Sequence, residues 1–211
     1  MNQKPFFGPL FPEEFVDPRT ISFVSGRMGR ALPHLEKTGG SYFVTICLKG
    51  VERRFILPNG LDADAIGRAS EPRTQRRSLT LSENWIGELI EGALLHFQGE
   101  RYLLSAWCVM PDHLHAVLTP LGEWTLAKIM HGWKSFTAHG VNSRLGREGS
   151  VWQRETFDHL IRSADDFARF VRYVEHNPVE AGLCDHPGEW PWSSARFNVV
   201  CDGRDAHRYK G

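Results

Sequence analysis

The sequence has no cysteine framework, no apolar run of membrane length, no excess of either charge, no internal repeat and no glycine-rich phosphate loop. Its cysteines, Cys47, Cys108, Cys184 and Cys201, are widely scattered without a Cys-x-x-Cys pair. That spacing argues against a zinc knuckle or a disulfide scaffold and fits reduced thiols. No window approaches the ~18 consecutive apolar residues of a membrane span, and the first residues lack the basic and apolar regions of a secretory signal. A cytoplasmic protein with no membrane partner is the expectation. The formal net charge is +0, which counts against a protein that coats nucleic acid through bulk charge but leaves room for local patches. Arg68, Arg73, Arg76 and Arg77 crowd one segment, and Lys128, Lys134, Arg144, Arg147 and Arg154 another. Each cluster suits either phosphate contact or plain solvated surface.

What is present is an ordinary globular composition: 211 residues, 41% hydrophobic and 24% charged, enough for one substantial core. Residues 1–38 carry Pro5, Pro9, Pro12, Pro18 and Pro33 among Phe6, Phe7, Phe11 and Phe15. This composition predicts an irregular arm, packed on the main domain or bound to a partner. After Gly39-Gly40, residues 41–48 are rich in β-branched and aromatic side chains and read as the first core strand. Phe55-Ile56-Leu57 is a short extended piece before a Pro58-Asn59-Gly60 turn, and the rest up to Ser78 is a polar loop. Apolar residues at helical spacing (Leu81, Trp85, Leu89, Leu95) predict a helix over 79–98 with Ser82 as its cap. Strands follow over 101–109 and from His113, joined by a Met110-Pro111-Asp112 turn. A long helix over 123–145 presents Leu126, Ile129, Trp133, Phe136 and Val141 to the sheet, and a fourth strand ends at Ile161. Ser163 caps a final helix whose Asp165 and Asp166 favour its positive end and which stops near Asn177-Pro178, because the residue before proline resists helical geometry. The segment 187–194 is turn-rich and aromatic, and 201–211 is a polar tail. The order β-α-β-β-α-β-α predicts an α+β fold, a ferredoxin-like antiparallel sheet layered with helices. Its domain occupies 39–184, between the arm at 1–38 and a C-terminal extension at 185–211.

Chemistry concentrates at two places. On an extended segment His113 and His115 point the same way, so two imidazoles lie side by side, either as half of a metal site or as a chance pair. Tyr173 and Asn177 are four apart on the last helix and share one face. Crossing the sheet, that helix brings a hydroxyl and an amide over the histidines. The alternatives are an amphipathic core tyrosine and a helix-ending asparagine.

Met110-Pro111-Asp112-His113-Leu114-His115, taken with the run from Tyr173 through Asn177-Pro178 to Leu183, resembles the signature of the single-tyrosine HUH transposases, in particular the REP-associated tyrosine transposases. The resemblance extends through 40–45, Lys134-Ser135-Phe136, Val151-Trp152-Gln153-Arg154, Phe157-Asp158-His159 and Trp190-Pro191-Trp192-Ser193-Ser194, roughly residues 39 to 198. It implies the HUH endonuclease fold, with His113, His115 and Asn177 as ligands of Mg²⁺ or Mn²⁺. It also implies Tyr173 as the nucleophile that cleaves single-stranded DNA near palindromic hairpins, through a 5′-phosphotyrosine link and a free 3′-hydroxyl. Lys134 and Arg154 are candidate phosphate contacts and Trp152 a candidate stacking residue, because single strands are held by basic grooves and aromatic faces. A monomer or a homodimer fits the pattern. Two alternatives belong to other classes: a catalytically silent hairpin-binding protein of the same fold, and a metal phosphoesterase, against which the lack of extra carboxylates counts.

Overall fold

β-branched and aromatic residues following the turn at Gly39 form β1, Tyr42–Cys47, and every one of its side chains is buried. The computed structural model describes residues 39–51, 55–56, 62–63, 79–81 and 83–197. After β1 comes a two-residue ladder of β2 (Phe55–Ile56) and β3 (Asp62–Ala63), then α1 (Asn84–Leu95), β4 (Tyr102–Val109), β5 (His113–Pro120), α2 (Leu126–Leu145), β6 (Phe157–Leu160) and α3 (Ala164–Glu180). The main sheet runs β4-β5-β1-β6 with every neighbouring pair antiparallel. Numbering only its four strands in chain order gives 2-3-1-4, the ferredoxin-like arrangement expected from the sequence.

Register decides which side chains share a face. Thr45 lies opposite His115 and Cys47 opposite His113, while Ile46 lies opposite Leu114 and Val44 opposite Ala116. One face is therefore apolar and packs on α1 and α2. There Ile46, Ile90, Leu94, Leu114 and Trp133 meet in one cluster, and Tyr102 donates its hydroxyl to the Leu94 carbonyl at 2.7 Å while accepting from Trp133 Nε1 at 3.0 Å. Burial pushes the Tyr102 phenol up to about 12, so it stays a neutral strut between α1, α2 and β4. The other face carries the histidines and is covered by α3. A register shift between Leu104 and Ala106 in β4 sets the phase of that strand against β5.

The helix boundaries differ from expectation in three ways. α1 begins at Asn84 with Glu83 in the cap position, and Ser82 lies outside the described residues. α2 starts after Thr125, whose side chain accepts from the Lys128 N–H, and Phe136, expected on the packed face, is 60% exposed. α3 does not stop at Asn177 but runs through Pro178 to Glu180. A proline removes one donor and crowds the carbonyl four residues back, yet the last turn is held by Ala181 N–H to Asn177 O, Gly182 N–H to Val179 O and Leu183 N–H to Pro178 O. Gly182, at φ 67°, makes the left-handed stop that proline alone did not. The Ser163 cap is as expected, accepting from Asp166 N–H at 3.1 Å.

Past α3, the aromatic segment folds back on β4. Val109 N–H donates to Trp192 O, Trp190 Nε1 donates to Val109 O at 2.9 Å, and Ser193 bridges Cys108. This lining covers an outer edge of the sheet that would otherwise present unpaired backbone groups. Gly87 is where it fits against α1, since a Cβ there would sit 2.3 Å from the Trp192 ring. The arm at 1–38, the Pro58-Asn59-Gly60 turn, the arginines at 68–77 and the tail at 201–211 lie outside the described residues.

Candidate active site

The β5 pair is buried without being apolar. His113 and His115 are both 0% exposed, and a buried imidazole is tolerable only with hydrogen-bond partners. Each has them. His113 Nδ1 lies 2.6 Å from Asp112 Oδ1, and His115 Nδ1 lies 2.8 Å from the Thr45 hydroxyl. The two remaining nitrogens face one another, His113 Nε2 to His115 Nε2 at 3.0 Å.

With both imidazoles neutral, that geometry has two proton arrangements. With the Asp112 carboxylate accepting, His113 carries its proton on Nδ1 and offers a bare Nε2. His115 then either donates Nε2–H to it while Thr45 donates to Nδ1, or donates Nδ1–H to Thr45 and leaves two lone pairs converging. The second arrangement calls for a shared cation, and both Nδ1 contacts are the orienting partners that metal-bound histidines use. A separation of 3.0 Å is also that of two adjacent ligands about 2.1 Å from an octahedral ion. The donor set fits a divalent metal but is incomplete from histidine alone. Among the described residues no group of three His, Cys, Asp or Glu side chains could hold one, so a third ligand from among them would be of another residue type.

α3 supplies the remaining parts. Its buried residues Phe167, Phe170, Val171, Val174, Glu175, Asn177 and Pro178 define one side of a helix that turns about 100° per residue. Glu175 lies at one edge of that side, accepting from Ser194 Oγ at 2.9 Å next to β4. Tyr173 lies at the opposite edge, half-buried, with its ring centroid 5.4 Å from His115 and 5.7 Å from Phe43. Phe43 also stacks on His115 at 5.3 Å and on Phe170 at 4.8 Å, so one ring sets the height of the helix over the histidine pair. Asn177 follows one turn beyond Tyr173 on that edge and is 9% exposed. The structure thus brings Tyr173 to the histidines within one chain, with Asn177 next along the helix. His176 points outward, its Nδ1 3.1 Å from the Arg172 carbonyl.

The candidate DNA contacts lie elsewhere. Lys134 Nζ donates to the Arg154 carbonyl at 2.9 Å and to Thr156 Oγ1 at 3.3 Å, and burial lowers its pKa. Trp152 is 3% exposed and donates Nε1 to Thr137 Oγ1 at 2.9 Å, so its faces are packed against protein. Arg154 is exposed. Sequence reasoning gave no role to Thr45, Asp112 or Phe43. Asp112 adjoins the histidines in sequence and was legible in principle; Thr45 and Phe43 needed the β1–β5 register, which no local signal carries.

A family model described as "Transposase IS200 like" matches residues 73–177. A REP-associated tyrosine transposase of Escherichia coli K12 is 26% identical over 127 residues, covering 59% of this chain and 73% of that protein. A Haemophilus influenzae protein that carries the same name provisionally is 32% identical over 107 residues, covering 46% of this chain and 61% of that one. Among solved structures, a REP-associated tyrosine transposase bound to a REP hairpin matches with a TM-score of 0.57 and 23% identity, over 79% of this chain and 82% of the other. That likeness establishes a common fold.

Proposed function

We propose, from the match of residues 73–177 to the IS200-like transposase family model and the likeness to REP-associated tyrosine transposases, that this chain cleaves and rejoins single-stranded DNA beside palindromic hairpins, with Tyr173 as nucleophile. The observation that carries this reading is the packing of Tyr173 on His115, ring centroids 5.4 Å apart, at the rim of a buried histidine pair. In the proposed step Tyr173 Oη attacks the scissile phosphorus. A P–O bond to Tyr173 forms, the bond to the 3′-oxygen breaks, the phenolic proton is lost and the departing 3′-oxygen gains one. The ester that remains conserves the energy of the broken bond, so a 3′-hydroxyl can attack it and rejoin the strand. His113, His115 and Asn177 would hold Mg²⁺ or Mn²⁺, which when bound polarises the phosphoryl oxygen and offsets charge developing in the transition state.

The chain's own groups do the positioning. Asp112 and Thr45 fix the two imidazoles, Phe43 sets the height of Tyr173, and the half-buried phenol remains open to a strand approaching from solvent. Since the tyrosine and the histidines belong to one chain, a single copy can assemble the site. Arg154 is exposed and free of the bracing role of Lys134, whose ammonium holds the 154–156 loop, so of the two it is the one offered to a backbone phosphate. A hairpin partner accords with the relatives' names, and near-zero net charge places DNA affinity on local groups.

The test is incubation with a hairpin flanked by single strand in the presence of Mn²⁺, resolved on a denaturing gel. A covalent protein–DNA band that vanishes in Tyr173→Phe and in His113→Ala is expected. Turnover without any covalent band would sink the tyrosyl mechanism. Hairpin binding with no cleavage in either metal would instead support the silent binding protein.

A further inference from the structure

On the sheet's other side, away from the histidines, α1 and α2 diverge around a groove of about 500 Å³. Its wall is largely apolar: Phe97, Trp124, Ile129, Trp133 and Phe136. Phe136, 60% exposed, is the most exposed large hydrophobic side chain among the described residues. Cations stand at the margin. The Arg101 guanidinium lies 3.2 Å from the Phe97 centroid and 4.1 Å from that of Trp124, Lys128 also lines the groove, and Glu88 is the single acid in the lining. A concave apolar site with a mainly basic margin fits a segment of aromatic residues interleaved with acids.

The chain contains such a segment. Residues 5–17 read Pro-Phe-Phe-Gly-Pro-Leu-Phe-Pro-Glu-Glu-Phe-Val-Asp, with Phe6, Phe7, Phe11 and Phe15 beside Glu13, Glu14 and Asp17. The connection is short enough. β1 begins at Tyr42, whose neighbours across the sheet are Leu118 and, one strand further, Leu104. The groove's Tyr102 lies at this same end, opposite Pro120. Two strand spacings and two residues along β4 amount to about 16 Å, and the 23 residues between Phe15 and Gly39 can reach well beyond that at about 3.3 Å each.

We infer that the aromatic and acidic segment 5–17 of the N-terminal arm docks in the groove between α1 and α2 of its own chain, covering Phe136 and setting Glu13 and Glu14 against Arg101 and Lys128. The prolines suit this role, since proline narrows the conformational choice of a free chain and leaves less to lose on binding. The docked arm covers the face remote from Tyr173 and leaves the histidine face open.

The experiment uses the full chain with a photo-crosslinking benzophenone amino acid in place of Phe136, whose exposure makes the exchange tolerable to the fold. Irradiation followed by mass spectrometry should map crosslinks to residues 5–17 at monomer mass. The double substitution Phe7→Asp and Phe11→Asp should reduce that crosslink at least tenfold with the circular dichroism spectrum unchanged. Crosslinks at dimer mass would make the groove a contact between copies and overturn the inference. So would crosslinks to another segment of the chain, or none.

Discussion

On one face of the sheet Tyr42, Val44, Ile46, Leu114, Ala116 and Leu118 are buried against two helices, whereas on the other His113, His115 and Thr45 are buried under one. The same strands supply both sets, in alternation. The α1/α2 face excludes water by shape alone, and its few polar atoms, such as the Tyr102 hydroxyl and Trp133 Nε1, satisfy each other. The α3 face is held by directed contacts: Asp112 to His113, Thr45 to His115, Glu175 to Ser194. Two polar edges flank the buried stripe of α3, one clamped to the returning segment at Ser194 and the other left half-open at Tyr173. The division implies that stability and chemistry are separable by mutation, because a change on one face need not reach the other.

The largest effect that would sharpen this contrast is on Tyr173. Tyr173→Phe keeps the ring against His115 and Phe43 and removes only the hydroxyl, so covalent adduct should fall by about 10³-fold or more while the melting temperature scarcely moves. A gel assay with Mn²⁺ and a thermal melt on the same preparation check both halves. Next comes the opposite face. Leu94→Ala empties a fully buried position beside Trp133 and Ile46 and should cost about 2–5 kcal/mol of unfolding free energy, read as a lower urea midpoint. Adduct formation at low temperature should persist in that variant. Comparable loss of adduct in both would break the division between the faces.

Much of the contrast was legible in the sequence because alternation is local. The parity of His113 and His115 follows from chain geometry once the strand is recognised, and the Ser163 cap with two acids behind it marks the start of α3. What was not legible depends on partners distant in sequence. Phe136 carries the same apolar signal as Trp133, yet one ring is 60% exposed and the other 5%, a difference set by where α1 and α2 diverge. Lys134 and Trp152 are nucleic-acid candidates by residue type, and only the fold shows that the loop at 150–156 lies on α2, with its Trp152 donating to Thr137 and its Arg154 carbonyl accepting from Lys134. Pro178 misled because its local preference for a helix end was outweighed by the packing of α3 and by Gly182. Thr45 lies 70 residues from its histidine, and only strand register unites them.

A smaller effect tests that union. Thr45→Val preserves shape and removes the oxygen that orients His115, and loss of such an outer partner typically weakens metal binding by about 10- to 100-fold. Titration of Mn²⁺ by calorimetry should show this without loss of fold; unchanged affinity would mean that Thr45 serves packing alone. The smallest effect belongs to His159, on β6 beside Phe170 with ring centroids 5.2 Å apart. Burial foremost, and then the Arg162 charge, lowers its pKa, with Asp166 opposing them. The unfolded chain therefore takes up this proton more readily than the folded one. His159 adds nothing above its unfolded value of about 6.5, and stability falls as pH drops through that value towards the lower folded one. His159→Gln should consequently lose less stability between pH 8 and pH 5 than the parent in paired denaturant titrations, any contribution from the histidine pair being common to both. Parallel slopes would show that water reaches this half-buried ring as freely in the folded state as in the unfolded, and that the closed part of the α3 face ends at Phe170.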